Sequence, residues 1–285
     1  MPADPASSTG PAAPAGPAAP TDPLDPAAPP DLAPPATPAA PTDPAAPVDL
    51  APETGALQVL PVRGIGEIRP GDDLAGILAS CAPLRHGDVL VVTQKVVSKA
   101  EGRLVPVDES DPAARRRLAE SESVRVLRRR GDLVITETRH GFVCANAGVD
   151  MSNVAHGWAA LLPVDPDRSA RRLRDGIRAR SGVEVAVIVS DTFGRAWRQG
   201  VTDIAIGCAG VAAVVDLRGE HDALGRPLVA TEICVADEIA GAADLVMGKA
   251  TGIAAAIVRG VDPALFRRSS VAAEIVRSPA DDLFR

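Results

Sequence analysis

The chain has 285 residues and a net charge of −7 at neutral pH, with 30 basic and 37 acidic side chains. A nucleic-acid-binding protein normally carries a basic patch, so this balance argues against a nucleic-acid partner. The chain shows neither a signal peptide nor an uncharged apolar run of membrane-spanning length, so we expect a cytoplasmic protein with no membrane partner.

Residues 1–55 have the composition of a disordered tail. Residues 1–52 contain 17 of the 27 prolines and no lysine, arginine or aromatic residue. Proline removes a backbone donor, and alanine adds little burial to offset chain entropy. We therefore predict an extended acidic tail over 1–55, serving as a tether or partner ligand, or else only as a solubility segment or a misplaced start. Residues 56–285 are long enough for one large domain or two small ones.

In chain order, the first half of this region alternates short strands with turns and helices. A glycine-rich turn at 64–71 is either a plain tight turn or a backbone contact for phosphate, and it lacks the Walker A pattern. The apolar patterns predict strands at 57–61, 89–93 and 133–137, a helix over 73–83 capped by Asp72 or Asp73, and a charged helix over 111–129.

The second half contains a longer apolar strand. We predict a helix over 168–181 ending at Gly182, this buried strand over 183–190, a helix over 231–243 and a strand over 253–258. Residues 201–215 fit either a buried helix or a pair of strands. Because strands and helices follow no steady βαβ rhythm, we predict a mixed α/β (α+β) fold rather than a doubly wound sheet. The arginine clusters at 115–117, 128–130 and 168–180 are interpreted as solvated helix faces.

Cysteine and lysine are both informative. The cysteines are far apart and form no CxxC pair, which predicts small buried apolar residues in a reducing compartment: Cys81, Cys144, Cys208 and Cys234. The chain has 27 arginines and only three lysines, Lys95, Lys99 and Lys249. These lysines are candidates for binding phosphate as compact point charges, with chance drift as the alternative. Lys95 and Lys99 would share one helix face.

Two polar segments are candidate metal sites. Asp191 and Thr192 follow the buried strand, where α/β proteins place ligands, and their oxygens suit Mg²⁺ or Mn²⁺. Asp150 is a candidate second ligand, and Asn153 could contact a nucleotide or metal-bound water. Helix capping and an Asx turn are the structural alternatives. The donors do not indicate zinc, and His140 is expected to be structural.

Five segments, taken in this order, resemble one family. They are 64–74, 87–103, 137–141 with 145–153, 190–198, and 243–249. The series resembles the coenzyme F420-0:L-glutamate ligases, also called F420:gamma-glutamyl ligases, over essentially all of residues 57–285.

The resemblance implies a reaction in which GTP and a divalent metal join L-glutamate to F420-0, followed by further gamma-linked additions. It implies an acyl-phosphate intermediate, a family-specific ligase fold with mixed sheets, and an intertwined homodimer. Two Mg²⁺ or Mn²⁺ ions per site are expected, with K⁺ as a further candidate. Since the chain stops about where some relatives continue into a flavin-binding domain, a stand-alone ligase without flavin is expected.

The resemblance also assigns residues by motif. Asp150 and Asp191 correspond to metal ligands, and Thr192 contacts a second metal. Gln94 stands where some relatives have serine. One acidic residue near 231–238 is expected to complete the metal site, with Glu232, Asp237 and Glu238 as the candidates. No catalytic residue is assigned. The positions that correspond to GTP contacts are Ile65, Gly66, Glu67, Ile68, Gln94, Lys99 and Asn153.

Two other functions compete with the ligase. One is a metal-dependent nucleotide phosphohydrolase or nucleotide-binding regulator that has lost glutamate transfer. The other is a binding module without catalysis, against which the presence of Asp150, Asp191 and Lys99 argues. Release of GDP without a glutamylated product would distinguish the first alternative from a ligase.

Overall fold

A computed structural model of the chain describes residues 55–283. The predicted tail therefore lies outside the described residues, apart from Gly55. The described strands are β1 (Gln58–Val62), β2 (Val89–Thr93), β3 (Leu104–Pro106), β4 (Ser123–Arg130), β5 (Leu133–Thr138), β6 (Val143–Ala145), β7 (Trp158–Ala160), β8 (Ala186–Arg195), β9 (Arg198–Ala209), β10 (Val215–Asp216), β11 (Glu232–Ile233) and β12 (Ala255–Arg259). The described α-helices are α1 (Leu74–Cys81), α2 (Gln94–Ala100), α3 (Ala114–Ser121), α4 (Pro166–Ser181), α5 (Val235–Met247) and α6 (Val271–Glu274).

A five-stranded mixed sheet forms the centre of the described region. Its strand order is β1-β12-β2-β8-β9, and only β2 and β8 run parallel. The sequence of β2 is VLVVT, and its first four residues are buried, as expected for a strand covered on both faces. Three smaller sheets, β4-β5-β6, β3-β7 and β10-β11, lie outside this centre.

Helix α4 shows how local sequence positions an element against the sheet. Asp165 caps its N-terminus by accepting a hydrogen bond from the Arg168 N–H, and Gly182 ends it at φ 70°. The helix packs on β8 and β9. Its first turn lies so close to β9 that a Cβ at Gly207 would fall 2.3 Å from the Pro166 carbonyl carbon. Only glycine fits at that crossing.

Most expected elements are confirmed by the structure. The helices at 73–83 and 168–181 correspond to α1 and α4, and Asp73 is the N-cap of α1 through a bond from the Gly76 N–H. The strands expected at 57–61, 89–93, 133–137 and 253–258 correspond to β1, β2, β5 and β12. The strand expected over 183–190 is β8, which begins and ends later, at 186 and 195. The mixed α/β class is therefore confirmed.

The helix expected over 111–129 is wrong in its second half. It ends at Ser121, and the chain continues as β4, which pairs antiparallel with β5. Gly131 and Asp132 form the turn of this hairpin, with Gly131 at φ 58°. The pair Gly131-Asp132 is a sequence signal for a two-residue hairpin turn, and the many charged residues around it obscured that signal. Arg128 to Arg130 consequently lie on an exposed strand, not on a helix.

Two further segments differ from expectation in detail. The helix expected over 231–243 begins four residues later, at Val235, because Glu232 and Ile233 pair with β10 instead. The open alternative over 201–215 is resolved as strand, since most of it belongs to β9.

The cysteines match their expected role only in part. Cys144 and Cys208 are buried, whereas Cys81 and Cys234 are half-buried, and all four are free thiols. Burial raises the pKa of Cys144, Cys208 and Cys234 to about 12. These three are therefore poor nucleophiles near neutral pH. Within residues 55–283, no helix is long and apolar enough to cross a membrane.

Candidate functional site

A cavity of about 730 Å³ opens where the parallel strands β2 and β8 end. The carboxyl ends of parallel strands are where α/β proteins place ligand sites. Its volume is within the range of cavities that hold nucleotides and other small molecules. Five stretches of chain line it: the loop after β1, the start of α2, residues 150–155, the β8–β9 pair, and residues 244–254.

The cavity brings together all ten residues that the motifs singled out. These residues lie up to 127 positions apart in the sequence, from 65 to 192, so their spacing alone did not predict that they would meet in one cavity. The lining residues are Ile65, Gly66, Glu67, Ile68, Gln94, Lys99, Asp150, Asn153, Asp191 and Thr192.

The glycine-rich loop is held over one side of this cavity. The Gly71 N–H donates to the Ala100 carbonyl at 2.8 Å, and Ile68 is buried to 3% exposure. Just before these anchors, the exposed Glu67 carboxylate lies 2.5 Å from the Lys99 ammonium group. Lys99 itself is 6% exposed. The loop is therefore tied to α2 from both its backbone and its side chain.

Helix α2 follows β2 without a connecting loop, which places Gln94 at the mouth of the cavity. The Gln94 side chain is buried, and its Oε1 accepts a hydrogen bond from the Ser98 hydroxyl at 2.9 Å. Its Nε2 has no hydrogen-bond partner within the described structure. A buried amide donor without an acceptor is costly.

Asp150 reaches the cavity from an irregular segment after β6. Its backbone pairs with Ala160 in an isolated antiparallel bridge. Its carboxylate lies 2.9 Å from the Lys95 ammonium group and accepts the Ser152 N–H at 2.7 Å. Burial alone would raise the Asp150 pKa, but these partners together lower it. Asp150 is therefore an anion at neutral pH.

Asn153 adopts φ 54°, in the left-handed region that asparagine tolerates better than most residues. Its side-chain Nδ2 donates to the Lys249 carbonyl at 3.4 Å, which ties residues 150–155 to the loop after α5. Local backbone strain of this kind clusters at functional sites.

Asp191 has the opposite electrostatic character to Asp150. Its pKa is raised to about 7: burial is the largest cause, the nearby carboxylates of Asp150 and Asp203 add to the rise, and the Thr192 N–H and Lys249 oppose it. The Thr192 N–H donates to Asp191 Oδ1 at 2.8 Å. A buried carboxylate repelled by two neighbours is stabilised by a cation.

Sequence reasoning missed several groups of this cavity. Asp203 on β9 and Asp244 near the end of α5 both line it. Burial and Asp203 raise the pKa of Asp244. The one acid within the apolar segment 201–215 is the sequence signal that could have identified Asp203.

Lys95 and Lys249 also line the cavity, so all three lysines of the chain meet there.

The acids expected near 231–238 do not complete the site within one chain. Asp237 instead accepts the Ala205 N–H at 2.9 Å, and Glu232 pairs with Arg218. Neither they nor Glu238 line the cavity. His140 is also outside it: its Nε2 lies 2.9 Å from the Pro163 carbonyl, and its ring stacks on Phe142. Its structural role is thereby supported.

The donors present fit a divalent cation only if a ligand contributes as well. Within residues 55–283, no three carboxylate, imidazole or thiolate groups converge into a complete metal site. Magnesium is commonly held by one or two carboxylates together with water and substrate phosphates. The oxygens of Asp150, Asp191 and Thr192 match that arrangement.

Comparison with known proteins matches one family over most of the described residues. The model of the family described as F420-0:Gamma-glutamyl ligase matches residues 64–260. The chain is 46% identical over 246 residues to the Coenzyme F420:L-glutamate ligase of Methanopyrus kandleri, covering 80% of this chain and 98% of that relative. It is 39% identical over 249 residues to the protein of that name from Methanothermobacter thermautotrophicus, covering 80% and 99%. The Archaeoglobus fulgidus protein of that name is 41% identical over 246 residues, covering 80% and 96%. The chain belongs to the F420-0:gamma-glutamyl ligase family.

Proposed function

We propose that this chain is a GTP-dependent ligase that joins L-glutamate to coenzyme F420-0 and adds further gamma-linked glutamates. One observation carries the proposal: all ten residues at the family's motif positions line a single cavity in a chain that belongs to the family. Its relatives are named Coenzyme F420:L-glutamate ligase.

The proposed cation is Mg²⁺ or Mn²⁺, held by Asp150 and Asp191 with Thr192 contacting a second ion. A bound divalent cation would offset charge on the transferred phosphoryl group. Two features support this assignment. The donors are hard oxygens, and the pKa of Asp191 is raised by burial and, to a smaller extent, by the negative charges of Asp150 and Asp203, which a cation would offset. A role for K⁺ remains a prediction.

The lysines support a triphosphate in the same cavity. Each lysine is paired with a carboxylate there: Lys95 with Asp150, Lys99 with Glu67, and Lys249 with Asp203. When a metal nucleotide enters, the cation would bind the Asp150 carboxylate, and the phosphates would take the ammonium groups of the lysines. Such an exchange offsets the desolvation of both sets of charges.

The chemistry follows from the low reactivity of a carboxylate. Attack of the F420-0 carboxylate on the γ-phosphate of GTP would give an acyl phosphate and GDP. The amine of glutamate then attacks the acyl carbon, phosphate leaves, and an amide forms with loss of one proton from the amine. The lysines would neutralise charge, and Asn153 and Gln94 would orient the nucleotide.

We also propose the homodimer that the resemblance implies. Three large apolar side chains on the packed pair β9 and α5 or on the adjoining turn are exposed: Trp197 at 83%, Val201 at 61% and Leu245 at 86%. Exposed apolar side chains of this size are typical of interaction surfaces. Light scattering of the purified chain at the mass of a monomer would contradict this part of the proposal.

The ligase proposal is tested by incubating pure protein with F420-0, GTP, Mn²⁺ and glutamate while following GDP and glutamylated product together. We expect one GDP for each glutamate added. Release of GDP that does not depend on glutamate and gives no glutamylated product would instead indicate a phosphohydrolase.

A further inference from the structure

Asp203 is the most buried carboxylate of the cavity, with 2% of its surface exposed. Both of its oxygens accept hydrogen bonds from hydroxyl groups of β8. The Ser190 hydroxyl donates to Oδ2 at 2.9 Å, and the Thr192 hydroxyl donates to Oδ1 at 2.5 Å. The Lys249 ammonium group lies 3.5 Å from Oδ1.

An irregularity in the sheet creates this arrangement. The pairing of β8 with β9 shifts by one residue between Val189 and Ser190, so that Thr192 lies directly opposite Asp203. In an unshifted register Thr192 would face Ile204, and the Asp203 side chain would point to the other face of the sheet. Bulges beside functional sites commonly re-aim a side chain in this way.

The hydrogens can be assigned from this geometry. An ionised carboxylate only accepts, and each hydroxyl has one hydrogen to donate. Ser190 and Thr192 therefore direct their hydrogens toward Asp203. The remaining lone pairs of the Thr192 oxygen point away from Asp203, and Thr192 lines the cavity. An oxygen that donates its hydrogen to a carboxylate is also a better electron donor.

We propose that Asp203 is a positioning residue for the divalent cation. Asp203 holds the Thr192 hydroxyl so that the hydrogen points away from the cation and the lone pairs of the oxygen point toward the cation. The inference rests on the proposed function, in which Thr192 contacts a metal. Asp203 acts through Thr192, whereas Asp150 and Asp191 contact the cation themselves.

The test is the Mn²⁺ affinity of Asp203→Asn, measured by electron paramagnetic resonance in the presence of a non-hydrolysable GTP analogue. An asparagine side chain has one acceptor oxygen and one donor amide, so it cannot accept both hydroxyls. Removal of such supporting groups weakens metal binding by about 10–100-fold, and we expect a loss of that size. Ser190→Ala is the matched control, because it removes one donor and leaves the Thr192 bond intact. Its affinity should stay close to that of the wild type.

A double-mutant cycle with Thr192→Val separates positioning from direct coordination. If Asp203 acts through Thr192, adding Asp203→Asn to Thr192→Val changes the affinity little further. Independent, additive losses would overturn the inference and make Asp203 a ligand. An Asp203→Asn protein with wild-type affinity would overturn it as well.

Two measurements keep these outcomes interpretable. Circular dichroism melts establish that each variant is folded, and Asp203→Ala, which removes both acceptor oxygens, must show at least the same loss, also if Asp203→Asn does not fold. The wild type is the reference for the proposed function. If the wild type binds no Mn²⁺, the proposed metal site fails, whereas equal binding by wild type and Asp203→Asn refutes only the positioning role.

Discussion

Two regions of this molecule bury a carboxylate almost completely and use it differently. At the start of α4, Asp167 is 5% exposed and accepts three backbone N–H groups, from Cys208, Val271 and Ala272. On β9, opposite Thr192 of β8, Asp203 is 2% exposed and accepts two side-chain hydroxyls beside the cavity. The first carboxylate joins three segments of backbone, and the second orients groups that can meet a ligand.

The neighbouring charges differ in the same way. Near Asp167, Glu274 is matched by Arg267 through two hydrogen bonds of 2.8 and 2.7 Å. Around Asp203, burial raises the pKa values of Asp191 and Asp244, and the Asp203 carboxylate raises both further, against the opposing effect of Lys249. Charges that are paired within the protein indicate a structural region, whereas carboxylates that lack enough nearby positive charge indicate a binding site for a cation.

Asp191→Asn is expected to show the largest effect, a strong loss of turnover without a loss of stability. Loss of a direct metal ligand should lower turnover by more than about 100-fold, since loss of supporting groups alone costs up to that much. The variant should be at least as stable as the wild type, because asparagine removes a buried charge that Asp150 and Asp203 repel. Product formation and thermal melting measure the two effects. Wild-type turnover would refute the assigned role.

Asp167→Ala should show the reverse pattern. It leaves three backbone N–H groups without their acceptor, and we expect a loss of about 3 kcal/mol in the free energy of unfolding. This corresponds to a melting temperature lower by roughly 6–12 °C. Mn²⁺ affinity should not change. The control on the same helix is Asp165→Ala, which removes only an N-cap and should cost about 1 kcal/mol. Weakened Mn²⁺ binding in folded Asp167→Ala would break the distinction between the regions.

The stability of the structural region around Asp167 should also depend on pH. The hydrogen-bonded pair with Arg267 lowers the pKa of Glu274 to about 2 from 4.5. Because the folded value is below the unfolded one, the stabilisation is present above about pH 4.5 and is lost as the pH falls toward 2. Water screens this partly exposed pair, so Glu274→Gln should cost about 1 kcal/mol at pH 7. Urea melts of both proteins from pH 7 to pH 2 should show the difference shrinking, and a constant difference would contradict this assignment.

The smallest effect is expected at the cavity rim. Glu67 is exposed, and its ion pair with Lys99 competes with an incoming phosphate. The carboxylate is exposed but Lys99 is buried, so Glu67→Gln should lower the KM for GTP by only a few-fold and the free energy of unfolding by about 1 kcal/mol. Glu120→Gln, which breaks an exposed pair with Arg129, is the matched control. A higher KM in Glu67→Gln would show that the carboxylate assists binding instead.

Sequence alone predicted the parts that local pattern determines. An unbroken apolar strand predicted that Asp191 and Thr192 would lie at the carboxyl end of that strand, and the ordered motifs placed Asp150 with them. Asp203 was not predicted, because its orientation depends on a one-residue shift in pairing across two strands. Residues 123–129 were wrongly expected to be helical, because their strand is stabilised by pairing with β5 rather than by apolar periodicity.

The central claim is tested most directly by mass spectrometry of the product formed from F420-0, GTP, Mn²⁺ and glutamate. The account predicts a product heavier than F420-0 by one or more glutamyl residues with the wild type, and none with Asp191→Asn. Unchanged F420-0 after complete conversion of GTP to GDP by the wild type would contradict it.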